Sequence, residues 1–191
     1  MPFLNSLLRA NWIVRAALII ALLFAGQEAS SAQNTSTAYK FKAVFLFHFT
    51  QFVDWPATTF SDPQAPLVIG ILGDDPFGDF LDATVKGENV DGHPLVVQRY
   101  RKPADVKDCQ VLFISSSEQS QLGRTLTDLK GKTILTVSDM GNFAEDGGMI
   151  GFVAVQDKIH FQINTDAARD ANLTLSSKLL RLADIVTTEK K

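Results

Sequence analysis

The sequence predicts an α/β fold: a single domain with a mostly parallel central sheet flanked by helices and a C-terminal antiparallel β-hairpin. Three observations carry this. Short apolar runs alternate with amphipathic stretches from Leu67 to Val137. The first run, Leu67–Leu72, is apolar without a break, as a strand buried on both faces must be. Near the end, two strand-like runs are joined by only Gln156-Asp157, and so tight a turn imposes antiparallel pairing.

The elements follow in order. A helix is expected from about Ala38 to Val53, stopped by Pro56. Helical spacing puts Phe41, Val44, Phe45, Phe49, Phe52 and Trp55 on one stripe. Ala43, Leu46 and Phe47 widen it, so the helix is apolar nearly all round and must be covered on more than one side. After strand 67–72, Asp75 suits the N-cap and Pro76 the first position of a helix running to about Val85. Leu95–Val97, Val111–Ile114 and Thr133–Val137 read as three further strands. Ser115-Ser116-Ser117-Glu118 leads into a helix ending near Leu129. Met149–Val155 and Ile159–Ile163 form the hairpin. In its second arm Lys158, His160 and Gln162 alternate with apolar residues, giving one polar face. Asn164 or Thr165 starts a short helix that Asn172 closes in a left-handed conformation. Leu175, Leu179, Leu182, Ala183 and Val186 form the core stripe of a last helix.

The N-terminus has the parts of a secretory signal: Arg9 and Arg15, the apolar run Ala16–Ala25, and Ser30-Ser31-Ala32 before the expected cut at Gln33. The run is shorter than the ~20 residues of a membrane-spanning helix. Residues 1–32 are therefore read as a signal peptide, with no membrane insertion after cleavage. The domain occupies 38–187, with no composition shift inside it and a polar tail after it. The chain of 191 residues has a formal net charge of −3, and removal of the leader takes two arginines and one acid with it. This acidic balance carries no electrostatic footprint for nucleic acid. Cys109 is the single cysteine, so an intrachain disulfide is excluded although an exported protein would permit one. It reads as a small, half-buried thiol.

Catalytic signals are thin. His48, His93 and His160 lack metal-ligand spacing and read as a core-stripe, a loop and a strand-surface histidine. No nucleophile elbow and no glycine-rich phosphate loop is present. No cofactor and no metal is expected. In open α/β sheets ligands bind at loops leaving the strand C-termini. Those loops carry Asp74 and Asp75, then Ser115 and Glu118, then Asp139 and Asn142. They line a small-ligand pocket or serve as helix caps and turn residues. Asp74-Asp75 also resembles the acidic pair of a phosphorylated receiver domain, which export beyond any ATP supply argues against. Phe47, roughly opposite the apolar stripe, is either an anchor for a protein partner or covered by the chain itself. Lys158, His160 and Gln162 offer polar contacts or a solvated face.

Taken together, several segments resemble one family. Tyr39-Lys40-x-Lys42-Ala43-x-Phe45-Leu46-x-x-Phe49-x-x-Phe52-Val53-x-Trp55-Pro56 is similar to the start of YfiR-like proteins. So are Ile69-Gly70-Ile71-Leu72-Gly73-Asp74-Asp75-Pro76-Phe77-Gly78, Cys109–Ile114, Gly147–Val153, Ile163–Ala168 and Ser176–Ala183. The resemblance implies a non-enzymatic periplasmic regulator. It implies a partner as well, the periplasmic sensor region of an inner-membrane diguanylate cyclase, held inactive so that cyclic-di-GMP and biofilm formation stay low. Homodimers are also implied. Paired cysteines of some relatives are absent here, which removes an intrachain redox mechanism. Lys158 and His160 stand where arginines are frequent, and His160 would gain charge at mildly acid pH.

Overall fold

Helix α1 spans Gln27–Gln51. The expected start at Ala38 is corrected: no glycine or proline interrupts 27–51, and the polar segment 33–37 is helical too. The computed structural model describes residues 27–156 and 158–188. The charged and apolar parts of the expected signal lie outside them. The chain divides into units 1–38 and 39–191. Residues 27–38 are the described part of the first, and the second carries everything below. No helix among the described residues is long and apolar enough to cross a membrane.

Among the described residues ten strands follow in chain order. They are β1 (Val53–Asp54), β2 (Leu67–Leu72), β3 (Asn89–Val90), β4 (His93–Tyr100) and β5 (Val111–Ile114). After these come β6 (Leu135–Ser138), β7 (Ile150–Val155), β8 (Lys158–Asn164), β9 (Thr174–Leu175) and β10 (Asp184–Val186). The remaining helices are α2 (Asp79–Val85), α3 (Leu122–Asp128), α4 (Thr165–Asp170) and α5 (Ser177–Leu180). Eight strands make one sheet in the order β10-β8-β7-β6-β5-β2-β4-β3, and β1 pairs with β9 apart from it. From β4 to β7 every pairing is parallel. β7 and β8 form the expected antiparallel hairpin, with Val155 opposite Lys158. The predicted fold class is therefore observed.

Alternation within the strands splits the core in two. Ile69, Ile71, Val111, Phe113, Val137, Phe152 and Phe161 face one side, where Ala43, Leu46, Phe49 and Val53 meet them. Val68, Leu72, Leu112 and Ile114 face the other, beneath Leu122, Leu129 and Phe143. Gly148 makes the second layer possible, because a Cβ there would lie 2.2 Å from the Phe143 ring.

Four local expectations are corrected. Phe41 is 58% exposed and Val44 38% exposed, so the buried face of α1 is Ala43–Leu46–Phe49, with Thr50 beside it. An all-round apolar helix offers several stripes, and periodicity alone does not select among them. His48 is correspondingly exposed and pairs through Nδ1 with Gln51 Oε1 at 3.2 Å. Asp75 caps a turn instead of a helix: its Oδ1 accepts from Phe77 N at 2.7 Å, and α2 starts only at Asp79. The last helix is cut to four residues. Ser176 caps it, Leu182 is 71% exposed, and Asp184–Val186 pairs parallel with β8. The β-branched pair Ile185-Val186 takes a sheet edge once one is offered, and tertiary pairing overrides local helical spacing.

Candidate functional site

Two regions gather the residues singled out above. The first lies where the sheet order turns, with β4 on one side of β2 and β5 on the other. Loops leaving β2 and β5 diverge there, which opens a crevice. Tyr39, Asp74, Asp75, Pro76 and Ser115–Ser117 line an open cleft of ≈ 340 Å³. Gly73, at φ +89°, lets the two loops touch: a Cβ on it would lie 2.4 Å from Ser117 Oγ. Asp74 N–H donates to that same Oγ at 3.0 Å.

Most polar groups of this cleft are bound internally. Asp75 Oδ1 accepts from Phe77 N and Gly78 N, and Oδ2 accepts from Arg99 Nε at 2.8 Å. Arg99 also donates to Asp82, at 2.5 Å from Nη2 and 3.1 Å from Nη1. Those hydrogen bonds hold the Asp82 carboxyl below the usual carboxylate range. Ser115 is buried, and its hydroxyl receives Ser117 N–H at 3.5 Å. Glu118 packs over Gly73. Asp74 is exposed, and among the described residues neither its carboxylate nor that of Glu118 has a hydrogen-bond or ion-pair partner. Asp139 stands behind Tyr39: its Oδ2 is 2.6 Å from Lys42 Nζ, with both side chains largely buried. Burial first, then a hydrogen bond with Asp139, pushes the Tyr39 hydroxyl pKa up. This pair ties α1 to the end of β6. Asn142 lies outside the cleft, in a left-handed turn at φ 60°, where its carbonyl accepts Asp146 N–H at 2.8 Å.

The second region is the far end of the sheet. There one face of β7 and β8 belongs to the core through Phe152, Phe161 and Ile163. The opposite face carries Lys158, His160 and Gln162, directly across from Val155, Val153 and Gly151. Neither core layer covers Val153 and Val155, and Val155 is 48% exposed. Gln162 reaches Glu145 at 3.4 Å, while Lys158 and His160 are exposed. Phe47 does not join them. It is half-buried on α1 and packs against the core layer on the other side of the sheet.

Sequence reasoning missed a third feature, an open cleft of ≈ 530 Å³ where β6 and β7 begin, reached by Lys130, Lys132, Asp166 and Asp170. No motif marks it, because its residues come from separate turns. Among the described residues no three of His, Cys, Asp and Glu come together as metal ligands.

A family described as YfiR/HmsC-like matches residues 39–184. No curated protein matches the chain.

Proposed function

Since the chain belongs to the YfiR/HmsC-like family, we propose that it acts in the periplasm as a non-enzymatic regulator. It binds the periplasmic sensor region of a membrane diguanylate cyclase and lowers cyclic-di-GMP output. The observation that supports a protein partner is the half-covered end of the sheet. A sheet face carrying valines beside Lys158, His160 and Gln162 suits an interface with an apolar centre and a polar rim.

Repression then works by population shift. The regulator favours the off state only by binding it more tightly than the on state. Moving a cyclase from 1:99 to 99:1 takes about 10⁴-fold difference in affinity. An interface of ordinary size supplies that if the on state withdraws two or three well-packed contacts of about 2 kcal/mol each.

The test is binding between the full chain and the periplasmic region of a co-encoded cyclase. Unsubstituted chain should bind and reduce cyclase activity. A Lys158→Glu, His160→Glu double variant should bind at least tenfold more weakly with unchanged melting behaviour. A folded double variant that binds equally well removes this face from the interface, and failure of the unsubstituted chain to bind removes the reading.

A further inference from the structure

The ladder of β8 is unfinished on its outer side. Asn164 N–H donates to Met149 O at 2.8 Å, on the β7 side. Residues of an antiparallel strand bond alternately toward and away from their partner. The even-numbered residues of β8 therefore bond toward β7, and Ile159, Phe161 and Ile163 turn their N–H and C=O groups outward. β10 engages both groups of Ile163 and the C=O of Phe161, since parallel pairing of Asp184 with Gln162 brings the Asp184 N–H to that carbonyl. Among the described residues no strand lies beyond Ile159 or meets the Phe161 N–H. The result is a step in the sheet edge, four residues or about 13 Å long, offering two donors, the N–H groups of Ile159 and Phe161, and one acceptor, the C=O of Ile159.

The step has two chemically different sides. On the core side, Ile185 aligns with Ile163 and is 52% exposed. On the other side stand Lys158 and His160, both exposed, with no carboxylate in ion-pair range among the described residues. A second copy of this chain fits poorly. Antiparallel self-pairing that keeps the apolar sides together places Ile159 opposite the copy's Ile159 and Lys158 opposite the copy's His160, or, shifted by two, Ile159 opposite the copy's Phe161 and His160 opposite the copy's His160. Neither register brings a carboxylate to Lys158 or His160.

We infer that the step accepts an extended segment of a partner protein as an added strand, with carboxylates facing Lys158 and His160 and an apolar residue against Ile159 and Ile185. This deepens the reading above and rests on it only for the partner's identity.

Two arms test it. In the first, a seven-residue peptide alternating glutamate and valine is added to the full chain, and amide hydrogen exchange is followed residue by residue. Exchange at Ile159 and Phe161 should slow at least tenfold, with His160, already bonded to β7, unchanged. Absence of that selective slowing overturns the proposal. So does slowing that follows protein concentration without peptide, since a second copy would then fill the edge. In the second arm, Ile159→Pro removes an outward N–H without breaking a ladder bond. It should weaken binding to the cyclase periplasmic region at least tenfold, whereas Phe41→Ala should not. Equal binding by a folded Ile159→Pro chain overturns the edge and leaves the cyclase reading standing. If the unsubstituted chain does not bind the cyclase at all, the cyclase reading falls and the peptide arm still decides the edge.

Discussion

Cys109 shows how far a single residue can be read from composition. One cysteine excludes an intrachain disulfide, and this needs no coordinates. Its depth does: the thiol is 3% exposed, 3.1 Å from Val111 O, and burial pushes its pKa up to about 12. A thiol titrating that high is almost wholly protonated at pH 8 and is a poor nucleophile. Native protein at pH 8 should leave an aromatic disulfide reagent unreacted for hours and react at once in denaturant. Rapid labelling of native protein would show that the β2–β5 end opens. The linkage has a definite sign. A folded pKa above the unfolded value of about 8.5 stabilises the fold below that pH, and the contribution is lost as pH rises toward 12. At this scale Asn164 and Asn172 were also legible. Asn164 accepts Ala167 N–H at 3.0 Å as a cap, and Asn172 sits at φ 58°. Both rest on bonds a few residues away. Asp75 does bond locally, to Phe77 N, but the chain turns again at Gly78, at φ 53°, and its second oxygen goes to Arg99, 24 residues distant.

Elements were legible where periodicity had one solution. β2 and β5 match their expected ranges at both ends because a continuous apolar run can sit nowhere but mid-sheet. α1 and the C-terminus were not, since both admit several stripes. The loop from β2 to α2 is the element where a prediction is sharpest. Arg99 on β4 binds Asp75 and Asp82 across it, with its own side chain 40% exposed. Exposed ion pairs of this kind contribute little singly, and the shared fork raises the total to about 1 kcal/mol. The folded pKa of Asp82 is depressed, so its contribution is present above about pH 4 and is lost as pH falls below that. Urea unfolding of Arg99→Gln should show that deficit at pH 7 and a smaller one at pH 3. An equal deficit at both pH values would mean that Arg99 acts through packing of its stem alone.

At the scale of the whole molecule, stability comes from two apolar layers on either side of one sheet, with no covalent brace within the chain. Phe49 joins α1 to the first layer, 5.8 Å from Phe152 and 5.5 Å from Phe161 between ring centres. Phe49→Ala should cost about 3–5 kcal/mol and lower the melting temperature in a single transition. Two separated transitions would show that α1 melts away from the sheet by itself. The sequence by itself determined the fold class, the single thiol and the hairpin, because each follows from local periodicity, composition or a two-residue turn. Only the tertiary structure decided which stripe of α1 is buried, that Ile185-Val186 joins β8, and that Phe47 lies across the sheet from Lys158 and His160. Those outcomes depend on which surface arrives opposite a residue, and contacts between residues far apart in sequence leave no period to read.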